Sequence, residues 1–209
     1  MLRILIADDH TVVRKGLKQI LLDEFPTAEI AEVANAEELI KNVMGAHWDV
    51  VVSDLSMPGR SGLDALQQIK ISHPALPVLI LSIHPEEQYA LRALKSGASG
   101  YLSKDTAPDE LVKAVQKVLL GKKYISQSIA EKLANTFSSG TGKSPHESLS
   151  DREFDVMKLL ANGKSVSEIA EMFSLSVTTV STYRARVMAK MELKSNSDLT
   201  RYAIENNLI

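Results

Sequence analysis

Val50-Val51-Val52-Ser53-Asp54 decides the fold. Three successive β-branched residues leave no polar face, so a strand built from them is buried on both sides. A strand of that kind belongs in a parallel sheet covered by helices, and this one ends on a carboxylate. Ile4-Leu5-Ile6-Ala7 has the same character and runs into Asp8-Asp9-His10. Ile30-Ala31-Glu32-Val33, Val78-Leu79-Ile80-Leu81 and Gly100-Tyr101-Leu102 complete a set of five short apolar runs. Between them lie segments with helical spacing at 12–22, 36–44, 62–72, 86–96 and 107–120; the first puts Val13, Gly16, Leu17, Ile20 and Leu21 on one face. Five strands alternating with five helices predict an α/β doubly wound domain over 1–124. Its five-stranded parallel sheet is expected in the flavodoxin-like order 2-1-3-4-5.

Beyond residue 124 the pattern changes. One short helix is expected at 129–137, and Ser138-Ser139-Gly140-Thr141-Gly142-Lys143-Ser144-Pro145 reads as a flexible connection, so 125–148 is taken as a linker. Residues 149–209 show only helical spacing. Ser150 and Glu153 fit a capping box ahead of the stripe Phe154, Met157, Leu160 and Ala161. Helices are expected at 166–173, 177–191 and 196–205, the first two joined by the turn Ser174-Leu175-Ser176. The C-terminal part is therefore expected to be an all-α domain of four helices.

Composition narrows the function. Among 209 residues there is no cysteine, which removes thiol nucleophiles, disulfides and zinc sites built on Cys. A formal net charge of -2 argues against a protein that coats nucleic acid by charge alone. The first apolar run is too short and too acidic in its flank for an export signal, and no stretch approaches a membrane span. The expected location is the cytoplasm, without membrane insertion.

Chemistry concentrates at the strand ends. In the order 2-1-3-4-5, strands one and three are neighbours, so Asp8, Asp9 and Asp54 converge on the crevice where such sheets bind ligands. Three close carboxylates need a cation, and a cluster read as all-oxygen suits Mg²⁺ rather than zinc. Ser82 ends the fourth strand and Lys104 follows the fifth, bringing a hydroxyl and an ammonium to the same place. That set suits phosphoryl transfer onto Asp54, with Ser82 and Lys104 on the equatorial oxygens of the transferred group.

Ile6-Ala7-Asp8-Asp9-His10, Ser53-Asp54-Leu55-Ser56-Met57-Pro58-Gly59, Ser82 and Gly100-Tyr101-Leu102-Ser103-Lys104 resemble the receiver domain of a two-component response regulator. The resemblance implies Asp54 as phosphoacceptor. It also implies Asp9, Asp54 and the Ser56 backbone carbonyl as ligands of Mg²⁺, Asp8 acting through water, and Tyr101 as the aromatic switch. Ser56 and His84 stand at the two variable positions that affect aspartyl-phosphate hydrolysis in this family.

Leu149-Ser150-Asp151-Arg152-Glu153, Ser167-Glu168-Ile169-Ala170, Leu175-Ser176-Val177, Thr179-Val180-Ser181 and Met191-Glu192-Leu193 are similar to the LuxR-type helix-turn-helix of NarL/FixJ response regulators, over nearly all of 149–209. On a helical wheel Val180, Val187 and Met191 form the buried stripe of the long helix, with Thr182, Ala185, Arg186 and Ala189 opposite and Ser181 at the flank. Small residues let the backbone approach a major groove, and basic ones find phosphates or a guanine edge. The expected DNA-binding residues are Ser181, Thr182, Arg184, Ala185, Arg186 and Lys190. Arg184 lies near the apolar side, so its stem is expected to pack while its head reaches a phosphate. Many family members carry Lys and His where this chain has Ser181 and Tyr183, so base preference does not carry over.

The reading is a transcription factor, not an enzyme, switched by a sensor histidine kinase and acting on double-stranded DNA as a homodimer formed on phosphorylation or on DNA. Two alternatives are weaker. An aspartate-nucleophile phosphatase places its two carboxylates at alternate positions, whereas Asp8 and Asp9 are adjacent. A phosphorylation-independent regulator would have no use for the complete pocket. By region, 1–124 carries 14 basic and 16 acidic residues and 149–209 eight of each, while 177–190 holds Arg184, Arg186 and Lys190 without an acid. The acidic excess belongs to the first domain. The second, neutral as a whole, carries a small basic face.

Overall fold

In a computed structural model, described for residues 1–127, 129–131 and 144–209, the chain divides into two compact units, Met1–Ser139 and Gly140–Ile209. Most of the helix expected at 129–137 and of the connection at 138–145 lies outside the described residues.

The strands of the first unit are β1 Arg3–Ala7, β2 Glu29–Val33, β3 Val50–Asp54, β4 Val78–Ser82 and β5 Gly100–Ser103. They form one parallel sheet in the order β2-β1-β3-β4-β5. β3 and β4 are buried at every residue, as a strand covered on both faces requires. β2 lies at the edge, and its Glu29 and Glu32 follow from that position: Glu29 pairs with Arg3, and Glu32 meets Lys18 at 2.9 Å. Tyr124 extends the opposite edge through a bridge to Gly100.

Among the described residues, five helices cover the sheet: α1 Thr11–Glu24, α2 Ala36–Gly45, α3 Gly62–Ser72, α4 Glu86–Lys95 and α5 Ala107–Leu119. Leu17 and Leu21 of α1 join Leu111, Ala114, Val115 and Val118 of α5 over Ile4, Ile6, Val50, Val52, Leu79 and Leu81. Ser61 and Asp64 form a capping box that fixes the start of α3 directly after the β3 loop. Gly62 stands there because space is lacking: an added Cβ would lie 2.0 Å from the Asp54 carbonyl oxygen.

The second unit contains α6 Asp151–Ala161, α7 Val166–Met172, α8 Val177–Met191 and α9 Asn196–Glu205, preceded by a single 3₁₀ turn, Pro145–Ser148. Ser150–Glu153 and Ser165–Glu168 are capping boxes, and Ser176 caps α8 by accepting the Thr179 N–H. The core gathers Phe154, Val156, Met157 and Leu160 of α6, Ile169 and Ala170 of α7, Val180, Val187 and Met191 of α8, and Leu199 and Ala203 of α9. α7, the turn and α8 are the helix-turn-helix; Ser174 takes the positive φ of 54° that the turn requires.

Candidate functional site: an acidic pocket and an exposed helix face

The sheet order places the ends of β1 and β3 side by side, and Asp8, Asp9 and Asp54 meet there. Asp8 and Asp54 are buried, at 0% and 3% exposure, and Asp9 is half-buried. Lys104, delivered from the β5 end, bridges the two buried carboxylates: Nζ lies 2.7 Å from Asp54 Oδ2 and 2.7 Å from Asp8 Oδ2. The backbone positions both partners. Lys104 N–H donates to the Ser82 carbonyl at 2.8 Å, and Ser56 N–H donates to Asp54 Oδ1 at 3.1 Å.

Burial pushes the Asp54 carboxyl pKa up, and the neighbouring Asp8 charge adds to this against the opposing pull of Lys104. Burial alone would lower the Lys104 ammonium, but its contacts with Asp54 and Asp8 outweigh this and raise the value. Three carboxylates against one ammonium leave a formal excess of two negative charges. Asp8 Oδ2 shares the Lys104 ammonium with Asp54, and the buried Asp9 Oδ1 accepts no hydrogen bond although His10 Nδ1 lies 2.7 Å away. A formal excess of negative charge around such a carboxylate oxygen fits a divalent cation. Ligand atoms of Asp8, Asp9, His10 and Asp54 all lie within 4.8 Å of one another.

His10 corrects the all-oxygen reading of this cluster. It is the N-cap residue of α1 but makes no side-chain capping bond, so the ring stands over the pocket instead. Nδ1 is 2.7 Å from Asp9 Oδ1. Adjacency to Asp9 in the sequence is the available signal; the ring's direction depends on the turn, which periodicity does not report.

Around this cluster stand Ser82 and Tyr101. Ser82 is fully buried, and its Oγ accepts the His84 N–H at 3.0 Å. Tyr101 points inward, 2% exposed, and its hydroxyl donates to the His84 carbonyl at 2.9 Å; burial raises its pKa. Ser56 Oγ and His84 Nε2 are 2.8 Å apart, tying the β3 and β4 loops across the mouth of the pocket. The sequence places both residues beside Asp54 but gives no sign that they bond to each other. Arg14 is a further residue that sequence reasoning does not find: its guanidinium donates to the Asp8 carbonyl at 2.5 Å, tying α1 to the β1–α1 turn.

On α8 the buried stripe is Val180, Val187 and Met191, and Ser181, Thr182, Ala185, Arg186 and Ala189 are exposed. Thr182 Oγ1 donates to the Thr178 carbonyl at 3.0 Å, which leaves the hydroxyl oxygen as an acceptor and the methyl group for contact. Arg184 is half-buried, and its guanidinium binds Asn196 Oδ1 through two donors at 3.1 and 3.0 Å. Lys190 turns back into its own unit, with Nζ 2.6 Å from Glu153 Oε2. The six residues named from the sequence thus occupy one helix but differ in freedom.

Similarity to known proteins covers both units. Residues 4–116 match the family described as "Response regulator receiver domain", and residues 147–203 match "Bacterial regulatory proteins, luxR family". The chain is 36% identical over 209 residues to the response regulator UvrY of Escherichia coli (strain K12), covering 100% of this chain and 96% of that protein. It is 37% identical over 215 residues to the oxygen regulatory protein NreC of Staphylococcus carnosus, covering 100% and 99%. Among solved structures, RcsB from Salmonella enterica serovar Typhimurium, bound to promoter rprA in the presence of the phosphomimetic BeF3-, aligns with TM-score 0.63 and 26% identity over 96% of this chain and 97% of that one. This places the chain among regulators of transcription rather than enzymes and sets the phosphatase alternative aside. With both domains matched in the same order as in full-length relatives, the chain belongs to the response regulator family, as a receiver domain joined to a LuxR-type DNA-binding domain.

Proposed function

We propose that Asp54 is phosphorylated by a sensor histidine kinase and that the modification controls binding of residues 149–209 to double-stranded DNA. The domain limits proposed are 1–124 for the receiver and 125–148 for the linker. The observation that carries the reading is Lys104 bridging two buried carboxylates at a sheet switch point. A buried carboxylate held by an ammonium, next to a cation-deficient acidic pair, is an arrangement for receiving an anionic group.

Asp9, Asp54 and the Ser56 carbonyl would hold Mg²⁺, with Asp8 acting through water; the ion, when bound, neutralises charge on the transferring group. An Asp54 carboxylate oxygen attacks phosphorus, a P–O bond forms, and the P–N bond to the kinase histidine breaks with its electron pair left on the imidazole. Lys104 then exchanges its Asp54 contact for an oxygen of the phosphoryl group, and the Ser82 hydroxyl donates to another. Because Ser82 Oγ also accepts the His84 N–H, its movement pulls the β4 loop whose carbonyl receives the Tyr101 hydroxyl. This links the phosphate to Tyr101, the proposed switch. A near-complete change of state needs about 5.5 kcal/mol of differential stabilisation.

On the DNA side, Ser181, Thr182, Ala185 and Arg186 would face the major groove, with Arg184 and Lys190 as the further cations of the helix. Paired copies on DNA would read half-sites roughly 34 Å apart. The setting proposed is the cytoplasm.

Operator footprinting at fixed salt, with wild type and Asp54→Ala and with and without a phosphoryl donor, tests the whole reading. Wild type should take up one acid-stable, alkali-labile phosphoryl group and protect the operator at lower concentration once labelled. Asp54→Ala should do neither. Equal protection by unlabelled wild type, labelled wild type and Asp54→Ala would mean that binding is independent of phosphate.

A further inference from the structure

The β1–α1 turn carries His10 into the acidic cluster. The His10 backbone N–H donates to Asp8 Oδ1 at 2.7 Å, and this turn sets the ring beside the carboxylates. Nδ1 stands 2.7 Å from Asp9 Oδ1 and 3.3 Å from Asp8 Oδ1. Asp9 Oδ1 is itself a buried oxygen that accepts no hydrogen bond. The ring is 66% exposed and makes no capping bond to α1, so rotation about its side-chain bonds breaks no bond to the helix.

One potential ligand atom from each of Asp8, Asp9, His10 and Asp54 falls in a set no wider than 4.8 Å. Around an octahedral ion with bonds of about 2.1 Å, neighbouring ligand atoms stand about 3 Å apart and opposite ones about 4 Å. Small side-chain movements therefore close this set on a single ion. The four donors are not equivalent for every metal. Mg²⁺ is hard, binds through oxygen and keeps several waters, so it gains little from an imidazole. Ni²⁺, Co²⁺ and Zn²⁺ favour imidazole nitrogen and accept carboxylates beside it.

We propose that the pocket is a cation site of two selectivities, in which His10 joins the aspartates as a nitrogen ligand for a first-row transition dication such as Ni²⁺, while Mg²⁺ is held through oxygen alone. The inference rests on the reading of this pocket as a Mg²⁺ site. Both ions use the Asp9 and Asp54 carboxylates, so they exclude each other. Ni²⁺ binds most nitrogen and oxygen donors more tightly than the harder Mg²⁺ does, and the mark of His10 is the part of that preference which disappears with the ring.

The test is isothermal titration calorimetry of untagged full-length protein with MgCl₂ and with NiCl₂, for wild type, His10→Ala, His10→Gln and Asp9→Ala. Only Ni²⁺ displaced by excess Mg²⁺ is counted, which removes binding at other histidines. Both His10 variants should lower the Ni²⁺-to-Mg²⁺ affinity ratio by about tenfold or more. The visible absorption of the Co²⁺-loaded protein should shift in both, as loss of a nitrogen ligand demands. An unchanged ratio overturns the inference, and so does an equal fall in both affinities, which would mark a collapsed turn. Failure of the underlying pocket reading has a different signature: wild type that takes up no Mg²⁺, or Asp9→Ala that binds it like wild type.

Discussion

Asp54 and Lys104 are 50 residues apart in sequence, nearly buried, and fixed on each other by a 2.7 Å contact. Arg186 and Thr182 lie four residues apart on one helix, exposed to solvent. The acidic pocket is assembled from several strand ends and holds its groups before any ligand arrives. On α8 the helix fixes the backbone, while Ser181, Ala185 and Arg186 stand exposed to solvent. A preorganised site loses function steeply when one member is removed, because the others were aimed at it. An exposed face should lose function in increments, one side chain at a time.

The largest effect is expected at Lys104. In Lys104→Ala the transferring phosphoryl group loses the ammonium that would bind one of its oxygens, and the rate of Asp54 phosphorylation from a small-molecule donor should fall about 100-fold or more. Mg²⁺ affinity should move the other way and rise, since the carboxylates lose a competing ammonium. Radiolabel uptake and calorimetry measure the two effects on the same protein. A loss of both would show that Lys104 shapes the pocket rather than serving as its charge.

Next comes Gly62, which tests how rigidly the pocket is held. In Gly62→Ala the new Cβ meets the Asp54 carbonyl oxygen at 2.0 Å, and neither the β3 end nor the capped start of α3 can yield easily. Urea unfolding of the first unit should show a loss of about 3 kcal/mol. A loss below about 1 kcal/mol would mean that the β3–α3 loop adapts, weakening the contrast with α8.

On α8 the expected changes are smaller and separable. Arg186→Ala should weaken operator binding and reduce the slope of log affinity against log salt by about 1. Substitutions at Thr182 and Ala185 should change base preference, by roughly 1–3 kcal/mol for each well-formed base interaction removed. Because the Thr182 hydroxyl donates to its own helix, Thr182→Val probes the acceptor and Thr182→Ser the methyl. A scan of 181–189 with no effect on affinity or preference would remove the helix from the groove.

What the sequence discloses follows the same division. The β-branched run Val50-Val51-Val52 favours a strand covered on both faces, and that points to the sheet class and, with the order, to the meeting of Asp8, Asp9 and Asp54. Val180, Val187 and Met191 repeat at helical spacing, so the buried side of α8 is legible as well. Side-chain pairs between distant segments leave no periodic trace. Ser56 with His84, Arg184 with Asn196 and Lys190 with Glu153 are separated by 28, 12 and 37 residues. His10 escapes a reading by pattern for a different reason: it is adjacent to Asp9, but its ring direction is set by a turn rather than by a repeat.

Lys190 offers the finest test, because it sits on the DNA-reading helix yet is engaged as the pocket residues are. Burial would raise the Glu153 carboxyl pKa, but the Lys190 ammonium and the Ser150 N–H outweigh it and hold the value below the usual 4.5. A carboxyl depressed on folding contributes stability above its unfolded pKa and loses that contribution as pH falls through the folded value. Glu153→Gln should therefore cost about 1 kcal/mol near neutral pH, counting the capping box and the partly exposed ion pair. The difference from wild type should shrink in thermal unfolding curves recorded below about pH 4.5. Lys190→Ala should reproduce the neutral-pH loss and also reduce the salt slope of operator binding by about 1, as for Arg186→Ala, the ammonium being released from Glu153 to a phosphate when DNA is bound. An unchanged slope would instead keep Lys190 as the partner of Glu153 alone and remove it from the DNA contacts.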